Sequence, residues 1–253
     1  MKVSIVTVCY NSAATIEHTI QSVLSQSHDN IEYIVVDGGS TDDTLNIIDK
    51  YKNKLSKVIS EPDHGIYDAM NKGIKNASGE IVGILNSDDF YETNESISQV
   101  VAAFEASIDV VFGNLVFVKP ENLNHITRFY SLPNFKAWKL KFGWMPPHPA
   151  SFIKKDLYDK YGLYKIDYKI SADYEIFIRF LLVHDARFKH INSTLVRMRD
   201  GGVSTSGIKS SITLNKEIVK ACKENGIYTN ILILLFKLPF KVLELIKRPK
   251  SNV

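Results

Sequence analysis

The chain has 253 residues, 45% of them hydrophobic and 23% charged, which provides for a sizeable core and excludes a disordered or fibrous protein. Two cysteines, Cys9 and Cys222, are too few for a disulfide-scaffolded domain. The net charge of +3 is unevenly spread: residues 1–130 hold 9 Lys/Arg and 18 Asp/Glu, whereas residues 131–253 hold 22 and 10. The acidic half invites a cation, and the basic half a phosphate, an anionic membrane surface or a nucleic acid.

Residues 3–9 and 31–37 are short runs rich in Val and Ile, and read as strands. Between them Ile16, Ile20, Val23 and Leu24 recur with the period of an amphipathic helix. After Asp37 come GGST and then Asp42 and Asp43, placed for the first turn of a helix reaching about residue 54, with Ser40 or Thr41 as its cap. Residues 57–61 read as a third strand. Ile66, Ala69, Met70, Gly73, Ile74 and Ala77 mark a helical face, and residues 81–85 a fourth strand running into Asn86-Ser87-Asp88-Asp89. Residues 109–113 are the fifth strand. Alternating strands and helices predict an α/β fold with a doubly wound, mostly parallel sheet.

Beyond residue 113 the pattern changes. Residues 115–118 and 126–130 read as antiparallel additions, followed by a Pro- and Trp-containing stretch over 133–149 with Trp138 and Trp144. Helices are expected over about 172–184 and 209–225, and residues 229–247 are apolar and basic. The expected organisation is a nucleotide-binding part (1–113), a mixed part (114–208) and C-terminal helices (209–253). Met1 to Cys9 alternates as a strand and not as a secretory leader. The longest apolar run of the tail, 231–236, is too short to span a bilayer.

In open α/β sheets, ligands bind beyond the carboxyl ends of the strands. Asp37, the pair Glu61 and Asp63, and the pair Asp88 and Asp89 all fall there. Convergent carboxylates repel one another, and a divalent cation resolves that; Ser87-Asp88-Asp89 suits Mg²⁺ or Mn²⁺. None of the seven His stands in a zinc-binding spacing. YNSAAT replaces a dinucleotide-binding Gly-rich loop after the first strand, and neither a phosphate loop nor a GxSxG elbow occurs.

TVCYNS, VVDGGSTDDT, EPDHGIYDAMNKGI, ASGE and LNSDD, in that order, resemble the nucleotide-sugar half of family 2 glycosyltransferases, which are inverting enzymes with a GT-A fold. PHPASF, SADYE and GGVST further on resemble the small bacterial enzymes that build colanic acid, capsule and O-antigen repeat units. The resemblance covers roughly residues 1–205. It implies that Val8 and Tyr10 border the nucleotide base, that Asp37 hydrogen-bonds the uracil or ribose, and that Asp63 and Asp68 lie along the donor pocket. It implies that Asp88 contacts ribose or metal, that Asp89 is the principal metal ligand, and that Asp173 is the general base. His148 is a further candidate for the metal or the diphosphate. Two departures stand out: Ala172 replaces an acid before the base, and Met70 stands where many relatives carry Arg.

The implied activity is transfer of one hexose, glucose or galactose, from a UDP-sugar to an undecaprenyl-diphosphate-linked acceptor on the cytoplasmic face of the inner membrane, with Mn²⁺ or Mg²⁺ as cofactor. Nucleic acid is not an expected partner, and the oligomeric state is open. A sugar-nucleotide pyrophosphorylase and a non-catalytic sugar-nucleotide-binding protein are the alternatives. With Ser171 as a cap, Asp173 is expected in the first turn of its helix, ionised and a weak base, with Glu175 next in line. In the tail, Ile231, Leu234, Leu235, Leu238, Val242, Leu245 and Ile246 form a stripe beside Lys237, Lys241 and Lys247. It fits a helix lying on an anionic leaflet, or one packed on the domain.

Overall fold

In the computed structural model, which describes residues 1–201 and 207–236, the apolar runs of the first half become adjacent parallel strands. β1 (Val3–Cys9) lies between β2 (Ile31–Asp37) and β4 (Ile81–Asn86), and β3 (Lys57–Ser60) extends the order outward from β2. Every residue of β1 is buried, because helices cover both faces of a central parallel strand. Val6 and Val8 enter the core on one face, and Val3, Ile5 and Cys9 the core on the other. The polar members are satisfied internally: Ser4 donates to Glu32 at 2.5 Å, and Thr7 meets the Tyr33 hydroxyl at 3.0 Å.

α1 (Ile16–Leu24) buries Ile16, Ile20 and Val23 against one face, and α3 (Ile66–Asn76) buries Met70 and Ile74 against the other. α2 (Thr44–Asp49) is shorter than expected and gives way to a 3₁₀ turn at Lys52–Lys54. Neither Ser40 nor Thr41 caps it. Asp42 does the work instead, accepting from Thr44 N at 3.0 Å and from Ala13 N at 3.1 Å, which also ties the turn to the loop after β1.

The sheet continues from β4 through β8 (Ser151–Lys154), β6 (Val110–Lys119) and β9 (Phe188–Arg199) to β5 (Asp89–Tyr91), with β7 (Asn122–Tyr130) hairpinned onto β6. Most pairings in this half are antiparallel, and β6 with β9 is the parallel exception. The pieces expected at 109–113 and 115–118 are one ten-residue strand, so position 113 lies inside β6. Gly113 interrupts the apolar run because the Leu195 side chain packs there, and a Cβ would fall 2.6 Å from it.

α4 (Ser96–Ala103) and α5 (Lys155–Tyr161) flank the sheet. α6 (Ala172–Phe177) passes into a π-helical stretch at Ile178–Val183, so the helix expected over 172–184 changes winding halfway. Glu175, fully buried, pairs with Arg179 at 2.7 Å and Lys165 at 3.1 Å, and Arg179 also donates to the carbonyls of Tyr161, Gly162 and Leu163. This is a structural ion pair, and it removes Glu175 as a reserve base. α7 (Gly207–Glu224) and α8 (Ile231–Leu235) close the described chain. Most of GGVST and the tail beyond Phe236 lie outside the described residues.

A Cβ on Gly73 of α3 would stand 2.2 Å from Val6 Cγ1. Ala favours a helix over Gly by about 1 kcal/mol, whereas overpacking costs about 1–3 kcal/mol. Gly73→Ala should therefore lower the urea midpoint. A raised midpoint would show that α3 moves off β1 without cost.

Candidate active site

A cavity of about 800 Å³ opens beyond the carboxyl ends of β1 and β4, bordered by the start of α3 and the segment ahead of α6. Val8, Tyr10, Asp63, Asp88, His148 and Asp173 line it, so residues far apart in sequence meet at one place. Tyr10 is 62% exposed, an aromatic face left open at the rim. Met70, at the position where Arg was expected, is on the wall and buried.

Asp37, Asp68 and Asp89 do not line the cavity. Asp37 is fully buried and serves its own turn: Gly39 N and Ser40 N each donate to it at 3.1 Å, and Ser60 Oγ at 2.8 Å. In this structure its carboxylate oxygens are taken up by these bonds. Asp68 closes the entry of α3, accepting from His64 N at 3.1 Å, a bond that holds its carboxyl below the usual range, with Lys72 3.8 Å away. Asp63 stays on the wall because Gly38 leaves room for it; a Cβ on Gly38 would fall 2.3 Å from Asp63 Oδ2.

At the end of β4 the chain is pinned from several sides. Ser87 N donates to Val8 O at 3.2 Å, Ser12 and Ser87 hydroxyls meet at 2.8 Å, and Thr19 Oγ1 lies 2.7 Å from Asp89 O. Asp88 faces the cavity, half-buried, and Asp89 lies fully buried beneath it. Asp88 is thus the more accessible of the two carboxylates, and Asp89 stands behind it. Burial pushes both carboxyls up, and for Asp89 the neighbouring Asp88 charge adds to the effect. Arg199, at the end of β9, donates to Asp88 O and, at 2.9 Å, to His18 Nδ1, with its guanidinium 5.0 Å over the Phe90 ring. Burial and the Arg199 charge hold His18 below its ordinary range.

The oxygens here fit a hard cation. Asp89 Oδ1 and Asn86 Oδ1 are buried without hydrogen-bond partners, and both are acceptors beside the Asp88 carboxylate. Among the described residues no group of three or more His, Cys, Asp or Glu forms a complete protein cage. Mg²⁺ and Mn²⁺ take one or two carboxylates and leave other positions to water and phosphate.

His148 is buried on the cavity wall, its Nε2 2.7 Å from the Tyr164 hydroxyl, and burial lowers its pKa to about 4. It is neutral at pH 7 with one nitrogen committed to Tyr164. Asp173 stands at the start of α6 and accepts from Tyr174 N at 2.8 Å. Burial raises its pKa to about 7, overriding the helix-end effect expected to keep it low. Ser171 does not cap the helix, and its hydroxyl is buried without a partner. The segment ahead of Asp173 is held by Tyr67, which donates to Ile170 O at 2.5 Å, and by Glu217 of α7. Arg199 and Glu217 carry no local sequence signal, since each acts on a partner far away in the chain. Trp138 and Trp144 stand outside the cavity wall.

Residues 4–162 match the family model described as Glycosyl transferase family 2. The chain is 36% identical over 186 residues to an uncharacterized glycosyltransferase of Mycobacterium tuberculosis, covering 72% of this chain and 69% of that one. It is 29% identical over 181 residues to a PGL/p-HBAD biosynthesis glycosyltransferase of Mycobacterium bovis BCG, covering 70% and 68%. Among solved structures, S. aureus TarS 1-349 in complex with UDP-GlcNAc is similar with a TM-score of 0.71 at 21% identity, over 94% of this chain and 72% of that one. The mannosyltransferase PcManGT from Pyrobaculum calidifontis, in complex with GDP-Man and Mn²⁺, is similar with a TM-score of 0.66 at 17% identity, over 97% and 73%. The fold is thus that of the GT-A glycosyltransferases. Within that class, the chain belongs to glycosyl transferase family 2.

If Asp88 is the direct ligand and Asp89 its support, the two respond differently to substitution. Asp88→Asn should abolish any tightening of UDP binding by Mn²⁺. Asp89→Asn should weaken it by about 10–100-fold, the usual cost of a lost supporting group. Calorimetry of UDP with and without Mn²⁺ reads both, and an undiminished Mn²⁺ effect in Asp88→Asn would sink the assignment.

Proposed function

We propose that this protein is a metal-dependent, inverting hexosyltransferase that uses a UDP-sugar donor and a lipid-diphosphate-linked saccharide acceptor. The observation that carries the reading is the meeting of Asp88 and Asp173 on one cavity wall at the carboxyl ends of the strands. The acceptor hydroxyl gives its proton to Asp173 as its oxygen bonds to the anomeric carbon, and the bond from that carbon to the diphosphate breaks in line. An α-linked donor gives a β-linked product. Held by Asp88 with Asp89 and Asn86 behind it, Mn²⁺ or Mg²⁺ would offset negative charge on the departing diphosphate. Tyr10 and Val8 border the base, and Asp63 the donor. Lys169, on the same wall, supplies positive charge on the side where Met70 does not.

A carboxyl with a pKa of about 7 suits this task, since it is partly ionised at neutral pH and a stronger base than an exposed aspartate. The choice of nucleotide follows the UDP-GlcNAc and UDP complexes of TarS. Glucose or galactose as the sugar, a HexNAc-bearing undecaprenyl-diphosphate acceptor and a role in O-antigen, capsule or exopolysaccharide assembly follow the resemblance of PHPASF and SADYE.

Peripheral contact with the cytoplasmic face of an anionic membrane completes the proposal. Among the described residues no helix is long and apolar enough to cross a membrane. α8 buries Leu234 but exposes Ile231, Leu232 and Leu235, with Phe236 exposed just after it. Thr229 donates to Lys141 O at 2.7 Å, joining this helix to the turn at Ala137–Phe142, where Trp138 is exposed beside Lys136 and Lys141. Exposed apolar groups ringed by lysines suit a headgroup region. Leu238, Val242, Leu245 and Ile246 of the same stripe lie outside the described residues.

Four outcomes test these assignments. Asp173→Asn keeps shape and hydrogen bonding but cannot take a proton, so turnover should fall by ~10²–10⁴-fold with donor affinity unchanged. In the wild type, the base must be ionised, so kcat/KM should rise with pH and level off above about 7. Stability should run the other way, declining as pH climbs from the unfolded aspartate range towards about 7, because burial disfavours the charge. Turnover surviving in Asp173→Asn refutes the base assignment. Separately, the double variant Leu232→Asp, Phe236→Asp should lose at least about tenfold in affinity for phosphatidylglycerol vesicles, since burying one such side chain contributes roughly 1.5–3 kcal/mol. Unaltered vesicle binding rules out α8 as the contact.

A further inference from the structure

The seven residues ahead of the Asp173 helix are tied to one face of α7. Lys165 Nζ and Tyr168 Oη each reach Glu224 Oε2 at 2.8 Å. Lys220 Nζ meets Asp167 Oδ2 at 2.5 Å and lies 4.2 Å over the Tyr168 ring. Lys169 N, Ile170 N and Ser171 N donate to Glu217 at 2.8, 2.9 and 2.9 Å. Glu217, Lys220 and Glu224 stand at i, i+3 and i+7, the spacing that lines up one helical face. The helix itself is anchored through buried Ile218, Ala221 and Cys222.

Three successive amides on one carboxylate is more than a surface bond. The amides just before α6 have no intrahelical acceptor, and Ser171 makes no side-chain cap. A carboxylate from a different helix satisfies them, and charge-assisted bonds of this kind are about twice as strong as neutral ones. On the other side, Tyr67 of α3 holds Ile170 O and borders the donor cavity. The base-bearing segment is therefore clamped between the donor helix and α7.

We propose that Glu217 is the positioning residue for the base: by holding the amides of 169–171 it sets where the Asp173 carboxylate stands on the cavity wall. The proposal rests on the reading of Asp173 as the base. Glu217 does not reach the cavity wall itself and acts through the backbone. It also acts through its field. The groups facing Asp173 are Glu217 from α7, Tyr67 from α3 and Tyr164 from the turn after α5, with Lys169 and His148 on the shared wall. The negative charge of Glu217 adds to burial in disfavouring ionised Asp173.

The test reads Asp173 directly. In protein labelled with ¹³C at aspartate carboxyls, the Asp173 resonance is the one missing from Asp173→Asn. Its titration midpoint should drop below the wild-type value in Glu217→Gln. Release of UDP or GDP is followed in parallel with UDP-glucose, UDP-galactose, UDP-GlcNAc and GDP-mannose plus Mn²⁺, water being the acceptor. Turnover with whichever donor the wild type hydrolyses should fall at least about tenfold, the scale of a misplaced catalytic group, with UDP affinity unchanged. A purely structural cap would lower the melting temperature of Glu217→Gln and leave turnover at the wild-type level, and that result overturns the proposal. Should Glu217→Gln fail to fold, Glu217→Asp decides. It keeps the charge but draws it back by one methylene, so turnover should fall while the Asp173 midpoint stays close to wild type; wild-type turnover there also overturns the proposal. Unimpaired turnover in Asp173→Asn defeats the base reading instead, and the midpoint in Glu217→Gln still reports on the clamp.

Discussion

Two carboxylates stand side by side at the end of β4, and one guanidinium is all the positive charge the described chain sets against them. Burying a charge without a partner is costly, and burying two like charges together more so. Much of the molecule is arranged around that constraint. Thr19 of α1 reaches across to the Asp89 carbonyl, Ser12 braces Ser87, and Asn86 donates to Asp89 at 3.3 Å. Arg199 arrives because β9 pairs with β5 on one side, setting Asp89 opposite Met198, and with β6 on the other, setting Val118 opposite Arg199. The acidic end of the parallel half is therefore complete only when the last strand of the mixed half has docked. Even then Asp89 Oδ1 and Asn86 Oδ1 lack hydrogen-bond partners, which is the observation behind the cation of the proposed function.

How much of this was legible in the sequence depends on whether the cause was local. β1, β2, β4, α1 and α3 were readable because a strand covered on both faces must be apolar throughout, and a covering helix must be apolar on one stripe. Val8, Tyr10, Asp63 and Asp88 meet at one cavity because strand ends in such sheets point to one place, and His148 and Asp173 join them from a turn and a helix start. Asp37 and Asp68 were less legible. An acid after a strand or in the first turn of a helix can serve a ligand or its own turn, and here the backbone amides of 39, 40 and 64 donate to these two. The relative depth of Asp88 and Asp89 depends on the pairing of β5 with β9, which residue types alone do not show.

Arg199 and Glu217 illustrate the limit more sharply. Arg199 sits 111 residues from Asp88, and Glu217 sits 46 residues from Ser171. Each would pass for a solvated charge on a strand or helix, and neither has a spacing that separates it from the other basic and acidic residues of this half. The division of the chain had a related weakness. A glycine in an apolar run reads as a stop, yet at Gly113 it marks the place where a neighbouring side chain needs the space, and β6 runs straight through.

The charge asymmetry of the two halves has two different physical meanings. In the basic half, several lysines are spent on the surface: Lys220 on Asp167, Lys189 on Glu105 and Lys165 between Glu175 and Glu224. In the acidic half, Asp37 and Asp89 are fully buried, and Asp37 is satisfied by its turn whereas Asp89 is not. Only the second kind of imbalance creates a demand for a ligand. Asp173 is a third case. It belongs to the basic half, yet no cation pairs with it in the described bonds, and the charge of the acid Glu217 adds to burial in raising its pKa. A helix of six residues offers its first turn only a fraction of a charge, which burial outweighs. On the proposed reading, the carboxylates that would hold a cation and the one that would take a proton differ in what surrounds them. Burial raises all three carboxyls, but Asp88 and Asp89 have the Arg199 guanidinium beside them, whereas Asp173 lies in a clamped segment with no counter-charge among the described bonds.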